Sequence, residues 1–290
     1  FSYFLYWETF FPSLLQKKII RGLGWVDQHV FGGPIKKRLM AWDEKTFGKY
    51  RHIHDMSLWN SEEDQFVMRG AFLTQQWALD VPMMDVIDLF HVDKMPVKKR
   101  RRWLRHYREC VKRQLLLNGG SGIHLSKNPV MSGWVESLIE TFPDARIAVV
   151  VRDPRECIPS VLKLVEVSWR AKGWRREDYD ASLRALTEVS FETFQHPRKV
   201  LARHPKTPQI VVDYRQLTGK PRATVLQVYE AFNMTVSPEF DRYLLAQEDK
   251  ERSHSTRFAY SIDDYELSPE RIEKELAVFF DDFAWPQATQ

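Results

Sequence analysis

Apolar positions in the first third of the chain recur at helical spacing. Between Ser13 and Val26, Leu14, Leu15, Ile19 and Leu23 follow the helical period and Lys17-Lys18 give a polar face, which predicts an amphipathic helix. Gly33-Pro34 opens a second helix, with Pro34 suited to its first turn. Ser61-Glu62-Glu63-Asp64 has the form of a capping box with acids in the first turn, predicting a helix to about Leu79. Lys98 to Leu117 reads as a long basic helix stopped by Gly119-Gly120. Its cations suit a solvated face or, alternatively, a surface for a polyanionic substrate.

From Ser121 the pattern changes to strand alternating with helix. Ile123–Ser126 is a short strand candidate, and Ser132–Phe142 a helix closed by Pro143. The β-branched run Arg146–Val151 and the run Gln209–Asp213 have the signature of strands buried on both faces. Helices are predicted at Pro154–Lys172, Asp180–His204, Pro221–Phe232, Pro238 to about Glu248, and Pro269–Phe280. Strands separated by helices imply a parallel sheet flanked by helices. The expected architecture is one α/β domain over residues 1–290. Residues 1–120 are mainly helical, 121–235 form the parallel core, and 236–290 a helical C-terminal segment.

Composition narrows the class. The 290 residues are 43% hydrophobic and 28% charged, an ordinary globular balance. A formal net charge of +4 fits an anionic ligand and is too weak to argue for nucleic acid. Cys110 and Cys157 have no metal or disulfide spacing. No apolar run reaches 18 residues, so no transmembrane helix is expected. Phe1–Trp7 lacks the basic region of a signal peptide. The chain does not start with Met and is expected to be a fragment or processed product, with any targeting signal upstream. A cytoplasmic location is the expectation for the residues given.

In an open parallel sheet, ligands bind beyond the carboxyl ends of the strands. There the three predicted strands deliver Ser126-Lys127-Asn128-Pro129, Arg152-Asp153-Pro154-Arg155 and Asp213-Tyr214-Arg215. The helix opened by Pro154 turns its positive end toward the same crevice, which suits phosphate. Pro159-Ser160 falls inside that helix, where proline breaks a local rule. Read alone, Arg152 could equally serve an ordinary ion pair, and the helix could start near Pro159.

Taken together, Lys127-Asn128-Pro129, Phe142-Pro143-Asp144-Ala145-Arg146, Val151-Arg152-Asp153-Pro154-Arg155 and Pro159-Ser160 resemble the central signature of the sulfotransferase superfamily. The resemblance spans roughly Ser121 to Phe232. Ser253-His254-Ser255 through Tyr265 resembles, less specifically, the closing segment of bacterial-type members. What the resemblance implies is a P-loop NTPase-like sulfotransferase fold using 3′-phosphoadenosine-5′-phosphosulfate as co-substrate, without a metal. It implies that Arg152 and Ser160 bind the 3′-phosphate, that Tyr214 does so as in protein-tyrosine sulfotransferases, and that Lys127 supports the sulfuryl group and leaving oxygen. The family's phosphosulfate loop, Gly-x-Pro-Arg-Ser-Gly-Thr-Thr, occurs nowhere in the chain. Gly119-Gly120-Ser121-Gly122 precedes a strand rather than opening a helix, so it is no substitute. Truncation just before Phe1, and an inactive fragment, are the expectations.

Attack by a hydroxyl requires a base. Glu8-Thr9 resembles the Glu-Thr pair of the protein-tyrosine branch and makes Glu8 the first candidate. His54, in Arg51-His52-Ile53-His54-Asp55, is the rival by analogy with the histidine of cytosolic members. Glu62 and Glu63 are read as helix N-terminal charges. The expected acceptor is a hydroxyl of a small molecule, carbohydrate or lipid, with a peptide hydroxyl left open. A nucleotide-dependent phosphotransferase is the enzyme alternative, lacking an evident Walker lysine or magnesium-binding acid. A non-catalytic sulfotransferase-like binding protein is the other.

Overall fold

The first turn of helix is α1 (Tyr6–Thr9), followed by α2 (Leu14–His29) and α3 (Pro34–Phe47). Gly32 and Gly33, at φ 73° and 80°, take the left-handed backbone that reverses the chain between α2 and α3. Helix α4 (Val97–Leu117) buries Trp103, Leu104, Tyr107, Cys110, Val111 and Gln114, a single stripe at helical spacing. Most of its lysines and arginines face solvent. Gly119 and Gly120, both at positive φ, end it, with the Gly120 N–H donating to the Leu115 carbonyl at 2.8 Å.

This computed structural model describes residues 1–48, 51, 56–251, 265 and 267–285. The chain divides into two compact units: Phe1–Trp77 with Lys94–Met131, and Ala78–Asp93 with Ser132–Gln290.

Three expectations change in the first unit. Helix α2 forms as expected, but Lys17 is buried and Leu15, Ile19 and Leu23 are exposed. The segment after Ser61 is not an α-helix: Asp64–Ala71 is a 3-10 turn and Gln75–Leu79 a second. Side chains, rather than a helical ladder, fasten this stretch. Asp64 accepts from the Tyr107 hydroxyl at 2.8 Å, and Thr74 donates to Gln65 Oε1 at 2.8 Å. The strand candidate at 123–126 makes one parallel bridge, His124 to Ser2.

In the second unit, α5 (Val135–Thr141) precedes β1 (Ile147–Val151), α6 (Pro154–Ala171), α7 (Arg176–Arg203) and β2 (Gln209–Asp213). Then follow α8 (Tyr214–Gly219), α9 (Pro221–Ala231), α10 (Pro238–Glu251), α11 (Pro269–Glu275) and α12 (Ala277–Phe283). Strands β1 and β2 pair in parallel with Val151 opposite Asp213, the sheet found among the described residues. Its core joins Val151 to Ile158, Leu162 and Trp169 of α6, to Tyr179 and Leu183 of α7, and to Leu276 and Phe279. The strands are not buried on both faces: Val150 and Val211 are 52% and 56% exposed.

Buried polar groups pin the second unit together. Asp93 accepts from the Glu136 and Ser137 backbone N–H groups at the start of α5, 2.9 Å each, and contacts His196 Nε2 of α7 at 2.8 Å. Glu166, buried in α6, accepts from the hydroxyls of Tyr179 and Tyr265 at 3.1 and 3.0 Å. Burial pushes its carboxyl up, but these two hydroxyls and Lys163 outweigh burial and hold it below its ordinary value.

Candidate functional site

Both paired strands end in the same local construction. Asp153 follows β1, caps α6 by accepting from the Arg155 N–H at 2.9 Å, and holds the Arg155 guanidinium at 2.7 Å. Asp213 closes β2, accepts from the Arg215 N–H at 2.8 Å, and holds the Arg215 guanidinium at 2.6 Å. Burial raises the Asp213 carboxyl, yet the Arg215 side chain and N–H outweigh burial and hold it below the ordinary carboxylate range. Hydrogen bonds donated to the Asp153 carboxylate likewise raise the Arg155 guanidinium. These two arginines are structural clamps. They fix where the neighbouring residues, Arg152 and Tyr214, leave the strands.

Because Val151 pairs with Asp213, Arg152 and Tyr214 emerge side by side at adjacent carboxyl ends. The Arg152 guanidinium lies 5.3 Å from the centre of the Tyr214 ring, a cation–π contact. Both are accessible, Arg152 at 45% and Tyr214 at 37%. Arg152 bonds Glu156 Oε2 at 3.0 and 3.1 Å. Glu156 and Ser160 are four residues apart on α6, so Ser160 shares the face toward which Arg152 leans. Helix α6 is continuous from Pro154 through Pro159, and the interior proline costs about 3 kcal/mol in a regular helix. Its start at Pro154 keeps the positive helix end beside Arg152. This cluster suits a phosphate: one exposed guanidinium, two hydroxyls and a helix N-terminus.

The other sequence candidates belong to the first unit. Lys127 is 76% exposed, and its Nζ donates to Glu63 Oε1 at 2.9 Å. Glu63 is mostly buried and also receives Gln65 Nε2 at 3.1 Å. It is therefore the lysine's partner, not only a helix-end charge. Glu8 is fully enclosed. Its oxygens take Arg21 at 2.7 Å, Gln114 Nε2 at 2.7 Å and the Leu5 N–H at 3.0 Å. His54 lies outside the described residues.

Sequence reasoning missed His124. Its Nε2 is 2.6 Å from Asp64 Oδ2, while its Nδ1 is buried with no hydrogen-bond partner among the described residues. A single histidine at the edge of an irregular segment gives no periodic signal, and Asp64 is sixty residues away in sequence. No group of three His, Cys, Asp or Glu side chains suited to a metal occurs among the described residues.

A model of the sulfotransferase family matches residues 29–238. Omega-hydroxy-beta-dihydromenaquinone-9 sulfotransferase Stf3 of Mycobacterium bovis and of Mycobacterium tuberculosis are each 22% identical over 222 residues, 75% of this chain and 55% of theirs. The chain thus spans about half the length of the curated relatives it matches. The crystal structure of sulfotransferase STF9 from Mycobacterium avium superposes with a TM-score of 0.62 at 17% identity, covering 80% of this chain and 58% of that one. That of STF1 from Mycobacterium tuberculosis gives 0.56 at 17%, covering 84% and 63%. These likenesses establish the fold, and with the family model matched across both strands and the 3′-phosphate candidates, the chain belongs to the sulfotransferase family.

Proposed function

We propose that this chain carries donor-binding and catalytic residues for sulfuryl transfer from 3′-phosphoadenosine-5′-phosphosulfate to a hydroxyl. The observation that carries this is Arg152 beside Tyr214 at adjacent strand ends, 5.3 Å from guanidinium to ring, with Ser160 on the flanking face of α6. In this reading Arg152 gives the 3′-phosphate charge-assisted hydrogen bonds. Ser160 and Tyr214 add hydroxyl donors, and the start of α6 adds its dipole.

The acceptor oxygen attacks sulfur, the bond from sulfur to the bridging oxygen breaks, and adenosine 3′,5′-bisphosphate leaves. Lys127 supplies positive charge where negative charge develops on the bridging oxygen, a contribution specific to the transition state. The hydroxyl proton goes to a carboxylate. Glu8 is the residue that the family resemblance nominates, but to receive the proton it must part from Arg21 and Gln114. Glu63 keeps some exposure and already lies 2.9 Å from Lys127 Nζ, which favours it as the base and gives Glu8 a positioning role. The menaquinone in the mycobacterial relatives' name supports a small hydrophobic molecule bearing a hydroxyl as the acceptor.

A donor comparison tests this. Adenosine 3′,5′-bisphosphate should displace the phosphosulfate donor and outcompete ATP, with no magnesium requirement. Preference for ATP with magnesium dependence would instead identify a phosphotransferase.

A further inference from the structure

The α2–α3 hairpin is inside out. Its buried side chains are polar, and each is committed internally. Lys17 donates to Gln114 Oε1 at 2.8 Å and sits 4.5 Å from the Phe4 ring centre. Asp27 caps α3, accepting from the Ile35 and Lys36 N–H groups at 3.0 and 2.9 Å. Asp43 holds Arg51 at 2.6 Å and the Leu58 N–H at 2.8 Å.

The apolar side chains face outward. On α2, Leu15, Ile19 and Leu23 repeat every fourth residue at 66%, 52% and 64% exposure. On α3, Ile35, Leu39 and Trp42 continue the pattern, all exposed. Near the end of α2, Trp25, and between the helices, Val30 and Phe31, are each about 60% exposed or more, so the tip is apolar too. Single exposed leucines are ordinary. Two stripes running to an apolar tip are not, and such surfaces mark interaction sites.

Charge identifies the occupant. From Leu14 to Phe47 the cations on the outer surface are Lys18, Lys36, Lys37, Arg38 and Lys45, Lys17 being buried and Arg21 paired with Glu8, against Asp27, Asp43 and Glu44. Both aspartates are buried, and Glu44 pairs with Arg51. The outer surface is therefore apolar and cationic together. That combination, with tryptophans on both helices, matches the interface of an anionic bilayer: rings sit at headgroup depth while lysine stems snorkel to the phosphates. A protein partner or a second copy would account for the apolar stripes but gives the lysines no role. No helix among the described residues is long and apolar enough to cross a membrane, so the hairpin would lie in the interface.

We infer that the α2–α3 hairpin docks this chain on anionic lipid bilayers, its tip entering the boundary between headgroups and acyl chains. The test is sedimentation of the 290-residue chain with vesicles of phosphatidylcholine plus phosphatidylglycerol, and with vesicles of phosphatidylcholine alone. The mixed vesicles should bind at least tenfold more tightly, and brominated acyl chains should quench a tryptophan signal that Trp25→Phe removes. V30D/F31D and K36E/K37E/R38E should each cut binding at least tenfold, with circular dichroism and adenosine 3′,5′-bisphosphate binding unchanged. If V30D/F31D misfolds, the single variant Phe31→Ser serves with the same expectation. Equal partition onto the two vesicle types would overturn the inference. So would self-association, measured by ultracentrifugation without vesicles, that Phe31→Ser abolishes while vesicle binding persists.

Discussion

At the scale of single residues, the proposed chemistry rests on a few side chains. Lys127 is exposed and pairs with Glu63, which keeps some exposure, whereas Glu8 is enclosed by Arg21 and Gln114. In the catalytically active protein, Lys127→Ala should lower kcat by at least a hundredfold with donor affinity within a few-fold of wild type. Glu63→Gln should lower kcat at least as much as Glu8→Gln, and Glu8→Gln should also lower the melting temperature, because it weakens a buried charge pair. Steady-state kinetics with thermal melts separate these roles. Near-normal turnover by Glu63→Gln would return the base to Glu8, or to His54. Packing is as specific as charge at Gly133, where a Cβ would lie 2.3 Å from the Phe90 carbonyl oxygen. Gly133→Ala should therefore destabilise by about 1–3 kcal/mol, as overpacking does, measured by urea unfolding.

Among elements, the strand ends were readable because their signal is local. Val151-Arg152-Asp153-Pro154 and Asp213-Tyr214-Arg215 each contain a strand, a cap and a clamp within a few residues, and β1, β2, α6 and α9 form close to where periodicity predicts them. The stretch after Ser61 was misread because its order comes from distant partners, Tyr107 and His124, which leave no periodic trace. Helix α2 was readable as a helix but not in its orientation, since periodicity finds a stripe without saying which side is covered. Its anchor, Lys17, offers a measurable consequence. Burial lowers the ammonium from 10.5 to about 8, against the opposing pull of Glu8. Between those values the unfolded chain binds more protons than the folded one, so Lys17 makes stability rise as pH climbs from about 8 toward 10.5. Denaturant unfolding across that range should show a smaller rise for Lys17→Met than for wild type. An unchanged difference would mean that Lys17 is hydrated in the folded protein.

For the whole molecule, the sequence reading carried the family and the parallel strand pair. Its expectation that the strands are buried on both faces does not hold: Val150 and Val211 are half exposed in the two-stranded sheet found among the described residues. In the proposed reading, phosphate recognition is concentrated in the second unit, on residues set by β1 and β2. Arg152 is central to it, as an exposed cation whose position is fixed by buried neighbours. Calorimetric titration of wild type and Arg152→Ala with adenosine 3′,5′-bisphosphate and with adenosine 5′-phosphate measures that role directly. Loss of one charge-assisted phosphate contact should weaken bisphosphate binding at least tenfold, about 1.4 kcal/mol or more, and change 5′-phosphate binding little. Equal losses for the two ligands, or no loss for either, would contradict a 3′-phosphate site at Arg152.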